Sequence, residues 1–199
     1  GMEGLPGFTL ELLKLVSSLS TSTNPEDTAI RQAGAATFKN IIRRRWVIDE
    51  DNSDVTAVPD SDRDTIKVNL VDLMCSSPKA VQKQLGEAVS IIAKQDFPAK
   101  WEHLPSQLVN KLQTQDIYTI NGVMSTTNSL LKRYRFGLQT NELMRELVFC
   151  LSSFQEPLLT MYKSMTAVVM SNSNTNKQQL ELIMETIYQM TRCFLSLNN

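Results

Sequence analysis

Apolar and polar residues recur along this 199-residue chain with the three-to-four-residue spacing of an α-helix. Residues 8 to 20 are so uniformly apolar that the helix they predict must be covered on more than one side. No segment combines strict alternation of apolar and polar positions with regularly spaced turns, which is the pattern of a sheet. The sequence therefore predicts an all-α fold.

Proline and capping residues mark where several helices begin. Asn24 and Pro25 have the order of an N-cap followed by a proline in the first turn, and Ser77 and Pro78 repeat it. Pro105 predicts a bend or a late start, and Pro157 a kink or a division. The predicted helices span residues 8–20, 25–46, 61–76, 78–96, 97–112, 116–136, 141–170 and 177–197.

The segments between these helices are mostly short. Residues 47 to 60 are acidic and lack a helical stripe, which predicts a surface loop, and residues 171 to 176 form a polar linker. Short turns that lead into helices starting with proline favour antiparallel pairs stacked in register over a closed bundle. We expect a HEAT-type helical-repeat solenoid, an α-α superhelix of about four to five antiparallel helix pairs, forming one domain over residues 1–199.

Composition narrows the classes of function. The 20 basic and 21 acidic residues leave a formal net charge of −1, which argues against a nucleic-acid-binding protein. No run reaches the about 18 apolar residues that a membrane span requires, and the first residues lack the features of a signal peptide, so we expect an intracellular protein without membrane insertion. Cys75, Cys150 and Cys193 are widely spaced among apolar neighbours, which predicts small core residues rather than disulfide partners.

Catalytic chemistry has no clear basis in this sequence. The single histidine, His103, lies off the apolar stripe of its predicted helix, which favours an exposed polar residue over a catalytic or metal-binding one. The motifs typical of zinc, phosphate, dinucleotide and serine-hydrolase sites are all missing. We therefore predict that the protein is not an enzyme and has no catalytic residue, metal or cofactor.

Two basic clusters end predicted helices and allow two interpretations. They comprise Lys39 with Arg43, Arg44 and Arg45, and Lys132, Arg133 and Arg135 beside Tyr134. Cations at the carboxyl end of a helix offset its dipole, so the favoured interpretation is a solvated helix end. The alternative is an electropositive edge for an acidic partner or a nucleic acid, although the near-zero net charge argues against nucleic acid.

The helix predicted over residues 61–76 carries apolar residues on two sides. The face expected to pack on neighbouring helices comprises Ile66, Leu70, Leu73 and Met74. The opposite side, flanked by Asp64 and Asp72, comprises Val68, Val71 and Cys75. An apolar stripe between acidic residues is typical of a protein-contact surface, but adjacent repeats could equally well cover it.

Four segments of the chain resemble a known family. They are FKNIIRRRW at 38–46, TIKVNLVDLMCSSPKAVQKQL at 65–85, SIIAKQDFPAKWEHL at 90–104 and TINGVMSTTNSLLKRYR at 119–135. They are similar to the amino-terminal HEAT repeats of the importin-β (karyopherin-β) superfamily, and within it to the exportins that return importin-α to the cytoplasm. The resemblance covers about residues 8 to 197 and implies that the first repeat lacks its opening outer helix.

The resemblance implies a nuclear transport receptor that shuttles between nucleus and cytoplasm. Its implied partners are Ran-GTP, importin-α and, in the full-length receptor, nuclear pore proteins. The family holds Ran on its inner helices, which here are 8–20, 61–76, 97–112 and 141–170. Alternatives are another transport receptor of the superfamily, or a HEAT-type interaction scaffold without a Ran role.

Mapping that surface onto this chain gives a set of candidate Ran contacts. The residues are Asp64, Lys67, Val68, Val71, Asp72, Glu102 and Ser106. Val68 and Val71 are expected to make the apolar contact, while the charged residues nearby set its orientation. Phe97 and Trp101 are better explained as packing residues.

Overall fold

The regular elements are all helices in the computed structural model, which describes residues 5–19, 22, 24–48, 56–137, 140–171 and 176–198. They are α1 (Phe8–Ser18), α2 (Pro25–Arg45), α3 (Asp60–Cys75), α4 (Lys79–Asp96), α5 (Leu104–Lys111), α6 (Ile117–Phe136), α7 (Asn141–Met170) and α8 (Lys177–Leu197). The predicted all-α class is confirmed.

Local capping chemistry accounts for several helix starts. The Asn24 side chain accepts a hydrogen bond from the backbone N–H of Glu26, with Pro25 in the first turn, as predicted. The prediction that Ser77 caps α4 was wrong. Its hydroxyl instead donates to the Leu73 carbonyl oxygen at 2.6 Å and accepts from the Arg31 guanidinium at 3.0 Å. Ser77 thus closes α3 and joins it to α2.

Prolines had different effects in α5 and α7. The predicted helix over 97–112 was too long, because residues 98–103 form turns and α5 begins only at Leu104. Pro105 lies in its first turn, where the missing N–H costs no hydrogen bond, so the late start is the correct alternative. Helix α7 continues through Pro157 without a division.

The predicted loop over 47–60 lies partly outside the described residues, which omit 49–55. Val58, close to its end, is buried. The Val58 N–H donates to the Arg45 carbonyl oxygen, and its own carbonyl accepts from the Arg63 Nε. This end of the segment is therefore packed against the protein, contrary to the prediction of a surface loop. The linker likewise falls outside the description at 172–175.

The chain divides into two compact units, residues 1–97 and 98–199. In the first unit α1 packs on α3 and α2 on α4, so helices alternate between two layers. At the amino ends of α1 and α3, the Gly7 N–H and the Thr9 hydroxyl both donate to the Asp62 carboxylate. In the other layer, the Lys39 ammonium of α2 lies 3.3 Å from the Glu87 carboxylate of α4.

Successive helices of this unit are antiparallel. Arg31, in the first half of α2, donates from Nε to the carbonyl oxygen of Val16 near the end of α1, at 2.7 Å. Close packing at this crossing depends on Gly34, since a Cβ there would lie 3.3 Å from a Val16 methyl group. The paired arrangement predicted from the sequence is thus confirmed in the first unit.

A buried carboxylate joins three helices of the first unit. Asp96 lies at the end of α4. It accepts a hydrogen bond at 3.1 Å from the indole Nε1 of Trp46, the residue that follows α2. Its other oxygen accepts from the Lys67 ammonium of α3 at 3.3 Å. The Arg63 guanidinium lies over the Trp46 ring and donates to the Trp46 carbonyl oxygen. These contacts fix the rotation of α3 about its axis.

The second unit repeats the layering, with α5 on α7 and α6 on α8. The α6 and α8 layer contains two amide-centred contacts: Asn121 donates to the Thr186 hydroxyl, and Asn128 to the Gln189 side-chain oxygen. Both pairs advance in the same direction, so α6 and α8 are parallel. The prediction of one domain over 1–199 stays a prediction.

Burial of the cysteines follows the prediction only in part. Cys150 and Cys193 are buried, whereas Cys75 is half-buried at the end of α3. Burial raises the pKa of the Cys150 thiol to about 11 and that of the Cys193 thiol to about 12. Cys75 is therefore less enclosed than predicted.

We expect Cys75 to react first with a thiol reagent such as DTNB. At pH 8 a thiol with a pKa of 11 or 12 is ionised to only roughly one part in a thousand or ten thousand, and the thiolate is the reactive species. Stopped-flow absorbance should show one fast thiol in the folded chain and three in urea. Three equally fast thiols in the folded chain would contradict this burial.

The same pKa values predict a loss of stability in alkali. The folded chain holds these two protons more tightly than the unfolded chain, whose thiols titrate at about 8.5. The two raised thiol pKa values contribute their full stabilisation below a pH of about 8.5. This contribution declines as the pH rises toward 11. Urea midpoints measured between pH 7.5 and 10.5 should therefore fall, and the fall should become smaller in Cys150→Ala.

Replacing Asp96 by alanine should destabilise the first unit severely. The substitution removes the acceptor of the buried Trp46 indole N–H and one of the two carboxylates beside the buried Lys67 ammonium. Breaking such a buried ion pair typically costs about 3 to 5 kcal/mol. Thermal melts should show a fall in Tm on the order of 10 °C. The control is Glu181→Ala, which removes an exposed carboxylate 3.9 Å from Lys177 and should change stability by under about 0.5 kcal/mol.

Candidate partner-binding face of α3

Helix α3 is buried over about half its circumference because α1 and α4 both pack against it. The buried residues are Asp62, Ile66, Lys67, Leu70, Val71 and Met74. The solvent-facing side carries Asp64, Thr65, Val68, Asn69 and Asp72. Since α1 and α4 cover the buried side, this exposed side faces away from both helices.

The structure separates the two valines that were expected to act together. Val68 is 65% exposed, whereas Val71 is only 1% exposed. At about 100° per residue, Val71 lies within about 60° of both Lys67 and Met74, which are themselves buried. The prediction that Val71 faces a partner was therefore wrong, and the alternative that neighbouring helices cover this position holds for it.

Val68 remains the apolar centre of the exposed face. Asp64 precedes it by four residues and Asp72 follows it by four, so the three side chains lie in one row along the helix. Asp64 and Asp72 are both exposed. The row Asp64, Val68 and Asp72, called here the α3 face, retains the pattern of an apolar contact with an acidic margin.

Lys67 was predicted to orient a partner at the surface, but it is largely buried. Its ammonium lies 3.3 Å from a carboxylate oxygen of Asp64 and 3.3 Å from one of Asp96. The residue is only 9% exposed, so its charge is committed to the two acids. Lys67 therefore positions Asp64 and does not offer an open contact. The signal that sequence reasoning missed was Asp96, beside Phe97.

The remaining candidate contacts belong to the second unit. Glu102 lies in the turn before α5, and Ser106 lies within α5; both are exposed. The Ser106 hydroxyl donates to the His103 carbonyl oxygen at 2.8 Å. Their participation in one surface with the α3 face stays a prediction. Phe97 and Trp101 are buried, as expected for packing residues.

The first basic cluster is engaged within its own unit. Lys39 and Arg43 both lie within 3.5 Å of the Glu87 carboxylate. Arg44 donates to the Asn40 carbonyl oxygen of its own helix, and Arg45 donates to the Thr56 carbonyl oxygen. These contacts favour the interpretation of a helix end over that of an open anion-binding edge.

Other classes of site have little support in the described part of the chain. No three histidine, cysteine, aspartate or glutamate side chains there are grouped so as to hold a metal ion. None of the described helices is both long and apolar enough to span a membrane. His103 is exposed, as predicted.

Two protein families match different parts of the chain. The importin-beta N-terminal domain family matches residues 2–76, which include the α3 face, and the Cse1 family matches residues 130–199. The exportin-2 proteins (CAS) of vertebrates are similar over nearly the whole chain.

Three of these relatives illustrate the extent of the similarity. The exportin-2 of Homo sapiens is 37% identical over 197 residues, which is 99% of this chain and 19% of the relative. The Danio rerio protein is 38% identical over the same share of the chain and 20% of the relative. The Xenopus laevis protein is 36% identical over 198 residues and 19% of the relative. The chain thus spans about a fifth of the length of these relatives.

A charge at Val71 should destabilise the chain, whereas a charge at Val68 should not. Val71→Glu forces an unpaired carboxylate into the contact between helices, which costs several kcal/mol, while Val68→Glu leaves the charge in water and should cost under about 0.5 kcal/mol. Thermal melts compare the two variants with Leu70→Ala, whose cavity should cost about 2 to 5 kcal/mol. A normal melt for Val71→Glu would place Val71 on the surface.

Proposed function

Because the chain belongs to the importin-β superfamily and is similar along its length to exportin-2 proteins, we propose that it is part of a nuclear transport receptor. In this proposal the receptor binds Ran-GTP and carries importin-α from the nucleus to the cytoplasm. The longer receptor shuttles between the two compartments and contacts nuclear pore proteins on the way. The α3 face contributes to the binding of Ran-GTP.

The exposure of Val68 between two acids is the observation that carries this proposal. Val68 is 65% exposed, so a partner that covers it removes apolar surface from water. Each Å² removed stabilises the complex by about 25 cal/mol. Asp64 and Asp72 attract basic side chains and disfavour acidic ones, so they select and orient the partner. The match of residues 2–76 to the importin-beta N-terminal domain supports placing this contact in the first unit.

Asp64 is also held in position before any partner arrives. Its carboxylate lies 3.3 Å from the Lys67 ammonium, which the buried Asp96 fixes from the other side. A contact group that is already ordered loses less conformational entropy on binding than a free one. In this proposal Lys67 acts as a positioning residue for the acidic margin of the α3 face.

Binding to Ran loaded with a non-hydrolysable GTP analogue, compared with Ran-GDP, tests the proposal. Biolayer interferometry with the 199-residue chain should detect binding of Ran loaded with the GTP analogue and little binding of Ran-GDP. Val68→Glu should weaken binding at least 10-fold because it places a charge in the apolar contact, while the melting temperature stays unchanged.

The matched control is Ile30→Glu, which introduces the same charge at a 47% exposed apolar residue of α2, in the other layer. It should leave Ran binding unchanged. Equal losses in both variants would show a general charge effect and remove the α3 face from the contact. Absence of binding to either form of Ran would favour the interaction scaffold without a Ran role.

A further inference from the structure

Two arginines lie on the α6 and α8 layer of the second unit. The pairs Asn121 with Thr186 and Asn128 with Gln189 fix these helices side by side and parallel. This register brings Arg135, in the last turn of α6, beside the last two turns of α8, which contain Arg192. The two side chains come from different helices and converge on one edge of the layer.

Each guanidinium is positioned by an exposed aromatic ring. Arg135 lies 5.6 Å from the ring centroid of Phe136, and Arg192 lies 5.5 Å from that of Tyr188. Phe136 is 74% exposed and Tyr188 is 56% exposed. Arg192 also donates to the Tyr188 hydroxyl, and Arg135 donates to the Asn128 side-chain oxygen. The surface thus combines two cations with two open apolar rings.

The charges of these two arginines are not neutralised within the described residues. No described carboxylate lies within 4.0 Å of either guanidinium, whereas the neighbouring Arg133 forms a salt bridge with Glu146. The Nε of Arg135 is shielded from solvent and has no acceptor among the described residues. Burial, followed by the nearby charge of Arg192, lowers the pKa of Arg135. The uncompensated pair of positive charges favours the binding of an external anion.

We propose that Arg135 and Arg192 form a binding site for an acidic peptide segment of a protein partner, whose apolar side chains pack on Phe136 and Tyr188. The planar guanidinium binds carboxylates in a two-pronged geometry that suits this role. A peptide explains the two rings better than a nucleic acid does, because nucleic-acid binding needs a broader basic surface than a chain of net charge −1 presents. This site goes beyond the proposed Ran contact and uses different residues.

Fluorescence anisotropy with a labelled peptide of alternating glutamate and phenylalanine tests the site. The 199-residue chain should bind this peptide, and raising the salt concentration should weaken binding. A peptide with glutamine in place of glutamate should bind at least 10-fold more weakly. Equal binding of the two peptides would overturn the proposal, because the arginines would then contribute nothing.

Two further probes distinguish the source of the anion. A phosphoserine peptide and a single-stranded RNA of equal length are measured in parallel. We expect the glutamate peptide to bind more tightly than the RNA and at least as tightly as the phosphopeptide. Tighter binding of either probe, by 10-fold or more, would overturn the assignment to acidic peptides.

Arg192→Gln is the decisive variant, with Lys177→Gln as its control. Both remove one positive charge from α8, but Lys177 lies 15 residues away, at the start of the helix. Arg192→Gln should lose at least 10-fold in peptide affinity, while Lys177→Gln should retain it. Arg192→Lys keeps the charge but loses the planar fork, so its affinity should be intermediate. Equal effects of Arg192→Gln and Lys177→Gln would overturn the proposal.

Arg135→Gln provides a second test, provided that a thermal melt shows that this variant is folded.

Discussion

The buried Asp96 carboxylate determines how the first unit is assembled. A carboxylate inside a protein is tolerated only when charged or polar donors surround it, and here the donors come from α3 and from the residue after α2. The end of α4, the exit of α2 and the middle of α3 therefore meet at one point. Because Lys67 must reach this carboxylate, the rotation of α3 is fixed. Val68, about 100° further round the helix, is then left on the solvent-facing side.

Local chemistry made much of the fold predictable from the sequence. Asn24 caps its helix with its own side chain, and that interaction extends over only two residues. The first turn of α5 was harder to place, because Pro105 is compatible with either a bend or a start. Only the turns over 98–103 decided between the two.

The candidate site was less predictable because burial depends on distant neighbours. Val71 and Val68 are the same residue type three positions apart, and the spacing alone cannot tell how far α1 and α4 extend around α3. Lys67 is polar by type, but its buried partner lies 29 residues away in the sequence. The proposed Ran contact came from the resemblance of whole segments to a family, since no single residue pattern in the chain specifies it.

The alternation of helices between two layers has a consequence for how the chain folds during synthesis. Within each unit a helix meets its layer neighbour two helices later, and the described hydrogen bonds between layer neighbours span at most 65 residues. Such contacts can form once the second following helix has left the ribosome, without waiting for residues much further along the chain. Short closure distances also favour rapid folding. A protein built on this plan can grow in length while the kinetic difficulty of each added step remains the same.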